Sequence, residues 1–548
     1  MVPEPPLTSK TNTTPKPVTP VDPARLEYHL KRIGYDRRKT EYLVTGFKNG
    51  FRLHQTGSLS QQEPKNDVSV VELFEVAQEK ISAEVSAGRM MGPFEAHPFE
   101  NFHVSPIKLR EKTEKGKYRL IHNLSWPYDE TSVNGGISEE SKTVQYSSVQ
   151  NAIRLIMKYP KGSVTRKTDI KDAFKIIPVH PDEYRKLGLK LGSKYYYDVT
   201  LPMGGGSSCQ IFEEFSTALE AIAKHDIEQE ITHYLDDFFF VDETQGQAAQ
   251  NKIAFDNLCL DIGVPQAPQK MTEPSFVTEF LSIELDSIHW KASLPLQKVK
   301  SYRSEVAIFL ERNKITQKQL QSLVGKLSFA SLVVPARAFL RRLIDKINTV
   351  KKPFHFIKVT KEMRCDLSMW LEFLDHYNGV TYFRALGVLP STHLNMGADA
   401  SKKGYGAVFG SSWVQERYPD HVQSMFMNRE LGITTLELFP IYVLVGMFGP
   451  KVKNTYVLFH SDNEGVVEVL NKQSSPNAII MRIVRPLVLL LIKYNIMLRS
   501  KHVPGMDNTL CDQISRFQVT DPFLANHGMK PEPEVIPAHL QSANFSFK

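Results

Sequence analysis

The 548-residue chain is 41% hydrophobic and 23% charged, with a net charge of +7 from 67 Lys+Arg against 60 Asp+Glu. At roughly 100–200 residues per domain, this length predicts several domains, and the ordinary globular composition gives each one a core. The mild basic excess suits a polyanionic partner and a merely solvated surface equally well. Four scattered cysteines without a CxxC pair (Cys209, Cys259, Cys365, Cys511) argue against zinc knuckles and for a reduced intracellular setting, cytoplasmic and/or nuclear.

Residues 1–23, rich in Pro, Thr and Lys, are expected to be a disordered tail, and no apolar signal-peptide core is visible there. Residues 26–55 and 70–90 carry helical spacing, as in Val71, Leu73, Phe74, Val76 and Ala77. The polar run Arg110–Lys117 between two β-like stretches predicts a basic hairpin. Val164–Ile170 reads as a strand carrying Asp169, with Asp172 three residues on, and Tyr195-Tyr196-Tyr197 as another. Ile211, Phe212, Phe215, Ala218, Leu219 and Ile222 keep helical period over 207–223. In Ile231–Val241, β-formers flank Asp236-Asp237 on both sides, which predicts strand, tight turn, strand with the acids at the tip.

From about residue 291 the pattern is helical, with Leu320, Leu323, Val324, Leu327 and Ala330 in one stripe and a further segment at 360–377. After Leu389-Pro390 an α/β pattern runs to about Phe517. Met396–Ser401 is a strand ending at Asp399, and Gly404–Phe409 returns from it. Thr434–Phe448 is a helix with Glu437 in its first turn, and Tyr456–Asp462 is a strand ending in an acid. Asp512 lies in a short helix ten residues after His502. The last 30 or so residues show no period. The longest apolar runs, Phe439–Phe448 and Leu487–Ile492, are too short for a bilayer and read as core helices, so no membrane partner is expected.

Adjacent carboxylates in an apolar hairpin repel each other and resist burial. A divalent cation removes both problems, and hard oxygen ligands suit Mg²⁺. Asp169, at the end of its strand, can lie beside the Asp236 tip. Two ions roughly 3.5–4 Å apart would there activate a primer 3′-oxygen and stabilise the leaving pyrophosphate. Taken singly, Asp169 also reads as a turn acid and Asp236-Asp237 as a polar tip. Asp399, Glu437, Asp462 and Asp512 form a second set able to converge on two metals. Each of these alone also reads as a hairpin, helix-start, N-cap or surface acid.

The chain resembles reverse transcriptases. Thr168–Phe174 looks like the first palm motif, Leu201-Pro202-Met203-Gly204 with Ser208 and Ile211-Phe212 the second, and Tyr234-Leu235-Asp236-Asp237 the third. Gly263-Val264-Pro265 through Lys270 resembles the fourth and Phe280–Leu285 the fifth, all in the family's order. The resemblance implies Asp169 and Asp236 as principal metal ligands with Asp237 beside them. It implies Phe174 as a steric gate against a 2′-hydroxyl, Arg119 as a fingers residue on the incoming triphosphate, and Met203 and Gly204 at the nucleotide. Lys270 would protonate pyrophosphate or simply be solvated. Core packing for Phe174, a surface role for Arg119 and a flexible turn for Gly204-Gly205-Gly206 are the plain alternatives. Three departures bear on nucleotide handling more than on metal ligands. Cys209 stands for a usual Pro, His122 for a usual Asp, and Met203 for a usual Phe or Gln.

The order Asp399, Glu437, Asp462, Asp512, with His502-Val503-Pro504-Gly505 and Asn508, is similar to ribonuclease H and implies a second metal site, with His502 as proton shuttle or product-release residue. Gly92-Pro93-Phe94, Ser105-Pro106, Ser132–Gly136, Trp370–Phe373 and Asn378-Gly379-Val380 look like the DIRS-like retrotransposons, with long-terminal-repeat elements as neighbours.

These likenesses imply a multi-domain α+β (α/β) chain: a disordered tail at 1–23, fingers and palm at 24–288, a helical thumb at 289–350, a connection at 351–389, a ribonuclease H-like domain at 390–517 and a C-terminal tail at 518–548. They imply RNA-directed DNA polymerase and ribonuclease H activities using Mg²⁺, two ions per site, with Mn²⁺ as the alternative. The implied partners are an RNA template, DNA primer, RNA–DNA hybrid and dNTPs. No protease, integrase or recombinase motif is found, so integration would come from another chain or from a missing extension. The rivals are a domesticated copy retained for nucleic-acid binding and a DNA-templated polymerase.

Overall fold

The strand Val164–Asp169 pairs with Asp237–Asp242, which pairs in turn with Glu230–Tyr234, giving a three-stranded antiparallel sheet. Side chains alternate across a strand. Phe238 and Phe240 therefore join one core with Phe212, Phe215 and Phe255 from the helices Ser208–Ile227 and Gln245–Ile262, while Phe239 turns to the other face and meets Phe280 at 5.0 Å. The computed structural model describes residues 18–112, 114, 116–227, 229–378, 389–504 and 509–547. Residues 1–17 of the expected tail, Gly379-Val380, and Gly505 with Asn508 lie outside the described residues. The chain divides into two units between Leu281 and Ser282.

In the first unit, the helices Pro23–Arg32 and Arg37–Asn49 are capped by Asp22 and Asp36, whose side chains accept free first-turn N–H groups. Order begins before the expected boundary at 23. The Thr19 hydroxyl donates to the Ile176 carbonyl at 2.7 Å, the Asp22 N–H donates to Ile262 O at 2.8 Å, and Val21 is buried. Composition misses this segment because two hydrogen bonds and one buried valine, not a periodic apolar face, hold it. Gly263 has φ +85°, and a Cβ there would meet Pro20 O at 2.1 Å, so this glycine serves a close chain crossing. The basic hairpin forms from Ile107–Glu111 and Tyr118–His122.

The second unit opens on the antiparallel strands Ile283–Asp286 and Lys291–Ser293, the latter at the start of the stretch expected to be helical, and continues with the helices Leu296–Glu311, Gln317–Ala330 and Lys361–His376. Beyond them Met396–Ala400, Gly404–Phe409 and Ser412–Arg417 make an antiparallel sheet, and Tyr456–Ser461 pairs in parallel with Met497–His502. The helix Ile433–Phe448 packs against Met396–Ala400, Gly404–Phe409 and the helix Ala478–Lys493. Ile433–Val452 is long and apolar enough to cross a membrane by length and composition alone, which corrects the expectation that no run reaches that length. It is 67% buried inside the protein, which is what a core helix shows.

That helix contains Pro440, which has no N–H for the Leu436 carbonyl. The buried Tyr418 hydroxyl donates to that carbonyl instead, at 2.9 Å. Tyr418→Phe removes the donor and leaves a buried acceptor unmet. We expect a loss of about 1–2 kcal/mol, read as a lower melting temperature and denaturant midpoint.

The segment expected as a C-terminal tail is packed. The Trp413 indole N–H donates to Lys530 O and Glu534 N–H to Trp413 O, both at 2.8 Å. The Ser542 N–H donates to both carboxylate oxygens of Glu416 at 3.0 and 3.1 Å. These bonds lie along Ser412–Arg417, the outer strand of its sheet. Phe545 and Phe547 then pack on Phe439 at 5.1 and 5.3 Å. Leu540 reaches the same helix where Gly446 leaves room, since a Cβ there would sit 2.7 Å from its methyl carbon.

Candidate active sites

Tyr234 and Asp237 are paired across the hairpin, leaving Leu235 and Asp236 as its two-residue tip, with Leu235 at φ +52°. Asp169 is the register partner of Asp237, and the Ile170 N–H donates to Asp236 O at 3.0 Å. The three carboxylates thus share one end of the sheet. The fourth motif lies against the same strand: Lys171 N–H donates to Pro265 O and Ala267 N–H to Asp169 O, both at 2.9 Å. This brings the Lys270 ammonium to 2.8 Å from both Asp169 oxygens.

Burial, then the charge of Asp169, pushes Asp236 above the ordinary carboxylate range. Burial pushes Asp237 up to about 7, with Lys167 opposing and Asp169 and Asp236 adding. The exposed Arg119 lies close enough to Asp236 for its guanidinium to counter that rise.

Phe174 sits in the short helical turn Ala173–Ile176, half-buried, with its ring edge-on to Phe212 at 5.6 Å. Met203 is exposed. Gly204 has φ +128°, and a Cβ there would meet His122 O at 2.4 Å, so the loop passes tightly over the basic hairpin.

Four supports for this site escape sequence spacing. Asn134 donates to Gly204 O at 2.9 Å and accepts from Gly206 N–H at 2.7 Å, clamping the glycine loop. Lys175, next to Phe174, donates to the buried Asp198 at 2.8 Å, and His122 meets the same carboxylate at 3.1 Å. Arg89 joins Glu84 to Asp172, which is held at φ +55°. Behind the tip, His233 is clasped by Glu220 and by Glu213, the latter at 3.3 Å.

Burial would pull the His233 imidazolium down, but the two glutamates outweigh it and raise the group to about 9. The folded chain therefore holds this proton well above the ordinary histidine value near 6.5. Its contribution to stability is complete below about 6.5 and disappears as pH rises through about 9. Melting temperatures should fall over that window, and His233→Gln should flatten the fall.

In the second unit, Asp399 lies on Met396–Ala400, and Asp462 follows Tyr456–Ser461. Glu437 is in the second turn of its helix, not the first, because that helix starts at Ile433. Asn463, rather than Asp462, caps the helix Glu464–Lys472, since its side chain accepts from Val466 N–H. Asp512 is on Thr509–Ser515.

The four acids feel one another. Burial, opposed by the Ser515 hydroxyl and helped by Asp462 and Asp512, pushes Asp399 up to about 6. Burial, then Asp399 and Asp462, pushes Glu437 up to about 7. The Ser515 hydroxyl donates to Asp399 at 2.6 Å, and Arg516 donates to Asp512 at 2.7 Å. His502 is exposed, with its Nε2 3.2 Å from the Asp462 carbonyl.

Among the described residues, no three His, Cys, Asp or Glu side chains are gathered closely enough to hold a metal ion as they stand. The chemistry of both donor sets still fits a hard divalent cation. All donors are carboxylate oxygens, they crowd like charges, and burial disfavours the ionised forms of Asp236, Asp237, Asp399 and Glu437.

No protein-family model matches the chain. It is 27% identical over 250 residues to Protein P of heron hepatitis B virus and 25% identical over 243 residues to Protein P of duck hepatitis B virus. The matched stretch is 40% and 39% of this chain and spans only 31% and 28% of those relatives. Two solved structures have a TM-score of 0.50 at 14% identity. One is a foamy viral protease–reverse transcriptase with double-stranded DNA, covering 91% of this chain and 84% of that one. The other is a foamy viral protease–reverse transcriptase with RNA/DNA hybrid, covering 87% and 62%. This likeness shows the fold, a multi-domain α/β polymerase architecture.

Proposed function

We propose that the chain is an RNA-directed DNA polymerase with a fused ribonuclease H, which copies retroelement RNA into DNA. The observation that carries this reading is the meeting of Asp169, Asp236 and Asp237 at one sheet end, within electrostatic reach of Arg119 on the basic hairpin. The similar viral Protein P sequences support it, as do the polymerase fold and the nucleic acids bound in the two foamy viral structures. Asp169, Asp236 and Asp237 would hold divalent metal, Mg²⁺ or Mn²⁺, in the first unit, and Asp399, Glu437, Asp462 and Asp512 in the second. Bound there, such ions polarise phosphate oxygens and lower the pKa of an attacking hydroxyl or water.

The chain's own groups do the rest. Arg119 offers a planar fork of donors to a triphosphate. The Gly204 loop lets backbone approach a nucleotide. Lys270, whose ammonium lies 2.8 Å from both Asp169 oxygens, would be placed to hand a proton to departing pyrophosphate. The second unit would cut the RNA strand of a hybrid, with His502 beside Asp462 as proton carrier.

Substrate selection follows from Phe174, whose ring edge would oppose a 2′-hydroxyl. Phe174→Val should raise ribonucleotide incorporation at least about ten-fold relative to deoxynucleotides, read by extension with each triphosphate. An unchanged ratio removes the gate assignment.

Primer extension on an RNA template with Mg²⁺ tests the main reading. Hybrid binding with neither extension nor cleavage would favour a domesticated binding protein instead. We also place the chain with the DIRS-like elements, on Gly92-Pro93-Phe94, Ser132–Gly136 and Trp370–Phe373, with a recombinase or integrase on a separate chain.

A further inference from the structure

Every residue of Lys351-Lys352-Pro353-Phe354-His355-Phe356 is exposed. Phe354 is 67% and Phe356 61% accessible, which is unusual for two phenylalanines two positions apart. The run is nonetheless fixed in place. Gln317 N–H donates to His355 O and Lys318 N–H to Pro353 O, both at 2.9 Å, at the start of the helix Gln317–Ala330. The Gln317 side chain adds bonds to Ile347 O and Val350 O at 3.0 and 2.6 Å. The rings are therefore displayed on a pre-formed turn, so binding would cost little ordering entropy.

Lysines lie beside both rings. Phe356–Lys358 pairs with Lys314–Thr316, placing Lys314 directly opposite Lys358, a like-charge pair that disfavours the strands' own pairing. Lys314 lies 4.9 Å from the Phe356 ring centre and Lys352 5.8 Å from that of Phe354. Lys314, Lys318, Lys351, Lys352 and Lys358 make no salt bridge among the described residues.

We propose that this turn is a platform for single-stranded nucleic acid, with phosphates against the lysines and unpaired bases stacked on Phe354 and Phe356. Exposed rings flanked by cations are the chemistry that holds unpaired strands. A duplex offers the rings nothing, because its bases already stack on one another. The turn contains none of the residues of either carboxylate cluster, and the proposal goes beyond the catalytic reading.

The test is fluorescence anisotropy of a labelled oligothymidylate with the full chain in EDTA. Unlabelled blunt duplex is added in excess to fill any duplex-binding groove. The pair Phe354→Ala and Phe356→Ala should weaken oligothymidylate binding about 10-fold or more, while the pair Phe354→Tyr and Phe356→Tyr keeps it. Lys351→Gln with Lys352→Gln should flatten the dependence of log affinity on log salt by about one unit. Parental affinity in the alanine pair overturns the proposal. So does an equal loss on blunt duplex, or binding to anionic phospholipid vesicles with none to oligothymidylate. Because EDTA blocks catalysis, and extension on a short template should be unchanged in the alanine pair, failure here leaves the polymerase reading intact.

Discussion

Asp236→Asn combined with Asp237→Asn reduces primer extension on an RNA template by at least about 10³-fold, equivalent to about 4 kcal/mol of lost transition-state stabilisation. Asparagine keeps the size and one carbonyl oxygen of each side chain but removes the negative charge a divalent cation requires. The fold should tolerate the change. The ionised forms of both acids are already disfavoured by burial, and Asp237 is pushed up to about 7. Neutral residues also end the repulsion with Asp169. The double variant should therefore melt no lower than the parent in metal-free buffer, and it should lose any melting-temperature gain that Mg²⁺ gives the parent's first unit. Extension at the parental rate would remove the palm assignment. Loss of extension together with a collapsed melting temperature would show that the acids act through folding instead.

The second large effect is expected at Asp399. Asp399→Asn should lower cleavage of the RNA strand in a hybrid by at least about 10³-fold while leaving primer extension unchanged. Asp399 is 8% exposed and accepts from the Ser515 hydroxyl at 2.6 Å, a bond that the asparagine carbonyl can keep. The charge contributes the rest of the environment, because Asp462 and Asp512 both press on it. Asp399→Ala would also lose the Ser515 bond, so asparagine is the cleaner probe. Cleavage that survives the substitution rules out this cluster as the nuclease centre.

Asp169, Asp236 and Asp237 were legible in the sequence because they lie where strands stop. β-Formers on both sides of Asp236-Asp237 mark a hairpin tip, and the acids Asp399 and Asp462 fall in or just after apolar strands, so local pattern alone places them. Groups joined only through tertiary folding were not legible. His122 and Asp198 are 76 positions apart, and no spacing rule links them to Lys175. The N-cap reading of Asp462 is off by one residue, since the Asn463 side chain takes the Val466 N–H, and spacing does not tell two adjacent capping residues apart. The ordered residues 18–22 and the packed residues beyond 517 share a composition with loops. What fixes them is backbone pairing and a few aromatic contacts, neither of which leaves a period. The paired lysines and bare rings of the 351–356 turn were present in the sequence, but their exposure was not.

The strap formed by residues 530–547 has a practical consequence for dissecting the molecule. A fragment of the second unit ended near Phe517 would shed Trp413's indole acceptor, the amide that satisfies Glu416, and the two phenylalanines that cover Phe439. What remained would offer a naked strand flank and a greasy notch to any neighbouring copy, an invitation to clump rather than to cut. A fragment carried through Phe547 keeps that seam shut.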